Sequence, residues 1–304
     1  ISVFKMIKQP PYLKKGDKIA IVCPAKKLPA PIDKGIEILQ SWGLEVVLGK
    51  TVTGAHHQFS GTDELRKQDI QQFLNDSSIK AIIAARGGYG TIRIIDELDF
   101  TAFNENPKWL VGFSDITILL SHVFAQFEIQ SIHGQMPYTF EESTPEALES
   151  LRKALFGEND TYTYPSDFAG KDGNAEGILV GGNLTLLLAL EGSVSEMNFD
   201  DKILFIEDVG EHEYSIDRMM RTLKRKGKLA KLKGLVVGAF NEVGEESIYF
   251  GQTPEEVIWD LVKEYNYPAA FSFPSGHIAD NRAMVLGKSV SLSITNNDVT
   301  FKYS

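Results

Sequence analysis

Cysteine is all but absent from these 304 residues, with Cys23 standing alone. One thiol forms no internal disulfide, and no Cys/His cluster at ligand spacing accompanies it. That excludes a disulfide-stapled secreted scaffold and a structural zinc site, and the expectation is of no metal and no cofactor. Long apolar runs are missing as well: nothing approaches the roughly 18 consecutive apolar residues of a membrane span. The opening segment lacks a long apolar core and a small-residue cleavage site, with Met6 a candidate first residue, so cytoplasm is the expected location. Positive charge is in short supply. Lys and Arg number 31 against 41 Asp and Glu, a formal net charge of -10 that repels phosphate and argues against a nucleic acid partner. The one dense basic cluster, from Arg218 to Lys233, sits in a helix-like segment with acidic neighbours and reads as a solvated face. Internal repeats and low-complexity segments are absent.

What is present is a globular composition, 43% hydrophobic and 24% charged, in a chain long enough for two domains with their own cores. Strand and helix signals alternate in the first half: strand 18–22, helix 32–42, strand 44–48, helix 63–74 capped by Thr62 or Asp63, and strand 80–84. An apolar run at 109–111 leads into a helix-period pattern ending at 127, and helix 145–155 closes the unit. Strand–helix–strand repetition implies parallel pairing through right-handed crossovers. Residues 157–174, rich in Gly, Asp, Tyr and Thr without an apolar period, read as a linker between domains at 1–156 and 175–304. Beyond it, strands 177–180, 202–206, 234–240 and 290–294 and helices 183–190, 214–226 and 254–265 predict a smaller α/β domain with a mixed sheet.

Chemistry concentrates at Gly112-Phe113-Ser114-Asp115, between the buried strand and the helix. A serine on such a corner presents its hydroxyl beside unbonded helix-start N–H groups, the geometry of a nucleophile elbow. It is equally a good helix cap, and Ile116 stands where the usual pattern has glycine. The turn Arg86-Gly87-Gly88-Tyr89-Gly90 lacks the Lys-Ser/Thr of a phosphate loop. It either supplies a bare N–H, so that Gly88 and Asp115 form an oxyanion pair, or merely meets a backbone need for glycine. A serine nucleophile needs a base and an orienting acid. His122 lies two turns into the elbow helix, out of reach; His56, His57 and His212 read as loop side chains; His133 and His277 remain, with His277 favoured by its turn-rich loop. Glu207 and Asp208 both follow a buried strand, and Glu211, Glu213 and Asp217 lie nearby, so the acid stays open.

Six segments in order, Phe59-Ser60-Gly61-Thr62-Asp63, Ala85 to Gly90, Val111 to Thr117, Gly181-Gly182-Asn183-Leu184, Phe205 to Glu211 and Gly276-His277, resemble the LD-carboxypeptidase family of serine peptidases, which includes microcin C immunity relatives. The resemblance implies an N-terminal parallel-sheet domain akin to class I glutamine amidotransferases (flavodoxin-like) and a C-terminal domain of its own type. By motif it implies Ser114 as nucleophile, Glu207 and His277 as acid and base, and Gly88 and Asp115 as oxyanion donors. It further implies a homodimer, and hydrolysis of the amide between an L-configured diamino acid and the terminal D-alanine of a muropeptide tetrapeptide, in peptidoglycan recycling. Arg86, Tyr89, Asn183 and Glu211 are expected to bind substrate, Arg86 at the terminal carboxylate and acidic loop residues such as Glu211 and Glu213 at the side-chain amine. Cleavage of peptidyl or aminoacyl nucleotides is the alternative; Tyr162, Tyr164 and Phe168 are candidates for stacking on adenine. A non-catalytic binding module of the same fold is the alternative of another class.

Overall fold

A computed structural model describes residues 6–158, 160–244 and 248–304. The first half runs β1 (Lys18–Val22), α1 (Asp33–Ser41), β2 (Glu45–Leu48), α2 (Asp63–Asn75), β3 (Ile79–Ala84), α3 (Thr101–Glu105), β4 (Trp109–Gly112), α4 (Thr117–Phe127), β5 (Ser131–His133) and α5 (Pro145–Phe156). It continues with β6 (Thr161–Pro165), β7 (Gly173–Asn183), α6 (Leu184–Ala189), β8 (Ile203–Val209), α7 (Glu213–Arg225), β9 (Gly234–Asn241), α8 (Pro254–Val262), β10 (Ala269–Ala270), β11 (Met284–Leu286), β12 (Ser289–Thr295) and β13 (Asp298–Tyr303).

The first sheet has the order β11-β5-β4-β3-β1-β2. Its pairs are parallel from β2 to β5. Helices cover a parallel sheet on its faces, so its strands read as apolar runs rather than alternations; β4 is buried at all four positions. α2 starts where Thr62 Oγ1 accepts the Leu65 N–H at 3.2 Å, which assigns the cap to Thr62. The second sheet, β10-β9-β8-β7-β12-β13-β6, is mixed. Its pairs are parallel from β10 to β7 and antiparallel from β7 to β6.

Two segments depart from the expected division. Residues 157–174 are not a bare linker, because Thr161–Pro165 pair antiparallel with β13 as the outer strand of the second sheet. The period-2 face is made of tyrosines: Tyr162 is buried and stacks on Phe301 at 6.0 Å, and Tyr164 donates to the Phe271 carbonyl. Tyr164 also packs edge-on against Phe273, and the Phe168 ring lies tilted against Phe271, so these aromatics pack into the hydrophobic core rather than forming a ligand-stacking loop. Met284–Leu286 returns to the first sheet, antiparallel to β5 with Met284 opposite His133. Chain from both sequence halves therefore meets at one sheet edge. Cys23 is buried at the end of β1, and burial pushes its thiol up to about 12.

Candidate active site

β4 ends at Gly112, and a single 3-10 turn, Ser114–Ile116, intervenes before α4 begins at Thr117. Ser114 sits at φ 62, a left-handed conformation that serine adopts at a cost and that persists only where the surroundings impose it. The strain turns the corner sharply at the mouth of a cleft of about 580 Å³ shared by Ser114, Gly87, Gly88, Arg86 and His277.

The glycine turn after β3 packs directly on this corner. A Cβ at Gly87 would come within 3.0 Å of Ser114 Cβ and 3.3 Å of its hydroxyl, while Gly88 is held at φ 114. Neither the Gly88 nor the Asp115 N–H has an acceptor among the described residues. The turn is clamped from both sides. Buried Asp115 accepts the Thr91 N–H at 2.9 Å, and its pKa is raised by burial, a shift that hydrogen bonds from Thr91 and Gly90 and the charge of Arg66 partly oppose. Arg66, fully buried on α2, donates Nη1 to the Gly90 carbonyl at 2.8 Å and to the Pro24 carbonyl. Arg86 lines the cleft, with its guanidinium bonded to the Lys27 carbonyl at 2.9 Å and lying over the Tyr138 ring.

Alternation along β8 separates its two carboxylates, since successive strand residues face opposite sides. Glu207, wholly buried, accepts from His277 Nδ1 through Oε2 at 2.7 Å. Asp208 points the other way, to Asn183 Nδ2 (2.9 Å), the Thr185 N–H (2.9 Å) and Thr185 Oγ1 (2.8 Å). Burial and the neighbouring Glu207 raise the Asp208 pKa. Burial alone would push His277 down; the hydrogen bond to Glu207 and its charge, with Asp208 and Glu242 adding, outweigh it and leave the pKa above its ordinary value. The His277 ring packs edge-on against Phe113 at 4.9 Å, immediately before Ser114. No hydrogen bond joins Ser114 to His277 among the described residues; in ligand-free sites such contacts are commonly long and tighten when substrate binds.

Residues that carry no obvious chemistry in the sequence hold the halves together. Gln135 Nε2 donates to the Ile278 and Ala279 carbonyls at 3.2 Å each, and Thr144 donates to Asp280 at 3.1 Å. Thr117 Oγ1, at the start of the elbow helix, accepts the Asn183 N–H at 3.2 Å, next to the Asn183–Glu207 step of the sheet. Asn281 Oδ1 accepts from Gly276 N–H (2.9 Å) and Ser275 Oγ (3.0 Å), fixing the loop that carries His277.

An imidazole held at Nδ1 by a carboxylate has Nε2 left for a proton from a nearby hydroxyl, and two unbonded N–H groups beside that hydroxyl suit an oxyanion. The LD-carboxypeptidase N-terminal domain model matches residues 19–134 and the LD-carboxypeptidase C-terminal domain model matches 176–292. The chain belongs to the LD-carboxypeptidase family.

Within that family, it is 33% identical over 300 residues to the "Probable murein peptide carboxypeptidase" of Bacillus subtilis (strain 168), covering 96% of this chain and 93% of the other. The microcin C7 self-immunity protein MccF of Escherichia coli is 25% identical over 303 residues, covering 88% and 86%. The solved structure of muramoyltetrapeptide carboxypeptidase from Oxalobacter formigenes superposes with a TM-score of 0.85 at 28% identity, over 94% of this chain and 98% of that one.

The other sequence candidates fall elsewhere in the chain. His133 is fully buried at the end of β5 and does not line the cleft. His122 bonds Ser195 at 2.8 Å, and His212 stacks on Tyr214. Asn183 is 2% exposed, its side chain given to Asp208 and to the cap of α6. Tyr89 is 45% exposed and packs on Phe59, and Glu211 accepts from Thr185 at 3.2 Å; neither lines the cleft. The carboxylates that do are Glu142 and Glu242, joined by Lys26, Gln135 and Tyr138. Glu142 ends a 3-10 segment, Pro137–Glu142, that also carries Tyr138, Glu242 directly follows β9, and no local pattern announces them. No helix of the described residues is long and apolar enough to cross a membrane.

Proposed function

We propose that the chain is a serine LD-carboxypeptidase that removes the terminal D-alanine from muropeptide tetrapeptides in peptidoglycan recycling. The observation that carries the reading is the His277–Glu207 contact of 2.7 Å beside a serine strained to φ 62 at the mouth of the same cleft. Ser114 Oγ attacks the carbonyl of the L-centre while His277 Nε2 takes its proton, and Glu207 orients and stabilises the imidazolium. The Gly88 and Asp115 N–H groups receive the tetrahedral oxyanion. Collapse breaks the C–N bond, His277 returns the proton to the departing D-alanine amine, and an ester remains on Ser114. Water, deprotonated by the same imidazole, hydrolyses the ester and frees the tripeptide and the serine.

Arg86 and Lys26 are the cleft cations suited to the terminal carboxylate, and Glu142 and Glu242 the cleft carboxylates suited to the amine of the diamino acid. The cytoplasmic location and a homodimer belong to the same proposal; sedimentation equilibrium reads the dimer directly. Likeness to MccF favours a second reading, in which the same residues cleave a peptidyl or aminoacyl nucleotide. The test is mass spectrometry of products from synthetic tetrapeptide stems and from an aminoacyl sulfamoyl adenylate, with wild type and Ser114→Ala. D-alanine release by wild type alone supports the first reading. Cleavage of the adenylate alone moves the second ahead, and binding without turnover of either supports a non-catalytic module.

A further inference from the structure

Behind the His277–Glu207 pair lies a group of buried polar atoms that the proposed reaction leaves unused. Glu207 meets His277 through Oε2, whereas Oε1 has no hydrogen-bond partner among the described residues. The same holds for both ring nitrogens of His133 and for Asn281 Nδ2, and all three residues are fully buried. They belong to one neighbourhood. The His133 ring lies 5.0 Å from Phe205, which precedes Glu207 by one alternation on the same face of β8, and 5.7 Å from Phe113, whose ring touches His277. The Asn281 side chain approaches the His133 imidazole without closing a hydrogen bond, and its Oδ1 is already committed to the loop of His277.

Buried polar groups are rarely left unpaired, and a small buried water commonly satisfies three of them at once. We propose that His133 is a positioning residue for Glu207: with the Asn281 amide it holds a buried water that donates a hydrogen bond to Glu207 Oε1. The water's own hydrogen bonds balance, with the protonated His133 nitrogen outside them. Asn281 Nδ2 donates to the water oxygen; one water hydrogen goes to Glu207 Oε1 and the other to an unprotonated His133 nitrogen. Neutral imidazole is what the site maintains, since burial, partly opposed by the charge of Glu207, pushes His133 down to about 4. A carboxylate bonded at both oxygens resists rotation, which keeps Oε2 on His277. This inference rests on reading Glu207 and His277 as triad partners.

The titratable and charged groups whose charge reaches His277 are Glu207, Asp208 from the opposite face of β8, Glu242 and His133, and those that reach His133 are Glu207 and His277. Of these, only His133 changes in the test variants. His133→Phe removes the water's acceptor, and His133→Gln keeps one. Turnover of a tetrapeptide stem is measured per active site titrated at Ser114, across pH. For His133→Phe we expect kcat to fall on the order of tenfold with KM unchanged. The acid limb moves to higher pH, because Glu207, without its donor, holds the His277 proton harder; His133→Gln restores most of both. Wild-type kcat and acid limb per titrated site in His133→Phe would overturn the inference, even if that variant melts lower, as would a Gln variant no better than Phe. Full turnover by Ser114→Ala removes the triad reading and this inference with it; an inactive Ser114→Ala beside an unaltered His133→Phe removes this inference alone.

Discussion

Replacing Glu207 with Gln tests the electrostatics of the site with little change of shape. The carboxylate is wholly buried and meets His277 Nδ1 at 2.7 Å, so the substitution deletes one charge facing the imidazole and leaves a neutral group of equal size. When His277 takes a proton in the transition state, the two unit charges lie about 4 Å apart; at an effective dielectric of about 20 they attract by about 4 kcal/mol. At about 1.4 kcal/mol per decade, kcat falls roughly a thousandfold. The pH profile changes as well. The base must be neutral, so activity rises as pH passes the His277 pKa, which lies above 6.5 in wild type because Glu207 outweighs burial. Without the carboxylate, burial regains weight and the acid limb moves to lower pH. D-alanine release from a tetrapeptide stem, followed from acid to alkaline pH, reads both. A folded Glu207→Gln enzyme with wild-type kcat, or with an acid limb at or above that of wild type, would refute the reasoning.

Three further perturbations follow from named contacts. Arg66→Met removes the 2.8 Å bond to Gly90, loosening the turn that carries the Gly88 N–H; kcat is expected to drop by about tenfold or more with KM little changed, and steady-state kinetics on the folded variant checks it. A Cβ at Gly181, φ +133, would sit 1.8 Å from the Phe205 carbonyl oxygen in the neighbouring strand. Gly181→Ala should therefore destabilise by about 3 kcal/mol or more, measured as a lower thermal midpoint; a wild-type melt would contradict that close approach. His133, ordinarily at 6.5, is pushed down to about 4 by burial, so the unfolded chain binds the extra proton between those values. Wild-type stability is complete above the upper value and declines towards the lower one, by up to about 3 kcal/mol relative to His133→Phe, in urea titrations across that range. A pH-independent difference between the two would contradict it.

Much of this architecture is written in local pattern. Buried parallel strands declare themselves as apolar runs, and the corner at Ser114 is visible because strand, small residues and helix follow one another without a break. What escapes is whatever depends on facing. Glu207 and Asp208 are adjacent in sequence, and only the registers of β7, β8 and β9 decide that one meets His277 while the other braces Asn183 and Thr185. His133 resembles His277 as a candidate base until its strand places it inside the protein, at 0% exposure. β6 hides because its inward face is aromatic rather than aliphatic, and β11 because three residues of Met-Val-Leu are too short to signal a strand that crosses to the other sheet. The cleft carboxylates Glu142 and Glu242 come from distant parts of the chain and share a cleft only through folding.

The proposed reaction requires a single hydroxyl activated across the two sheets, and peptide mapping after reaction with a fluorophosphonate probe tests that most directly. The expected result is one adduct, on Ser114, formed by wild type and strongly slowed by either His277→Ala or Glu207→Gln. An adduct on another residue, or labelling of Ser114 at the wild-type rate without His277, would contradict it.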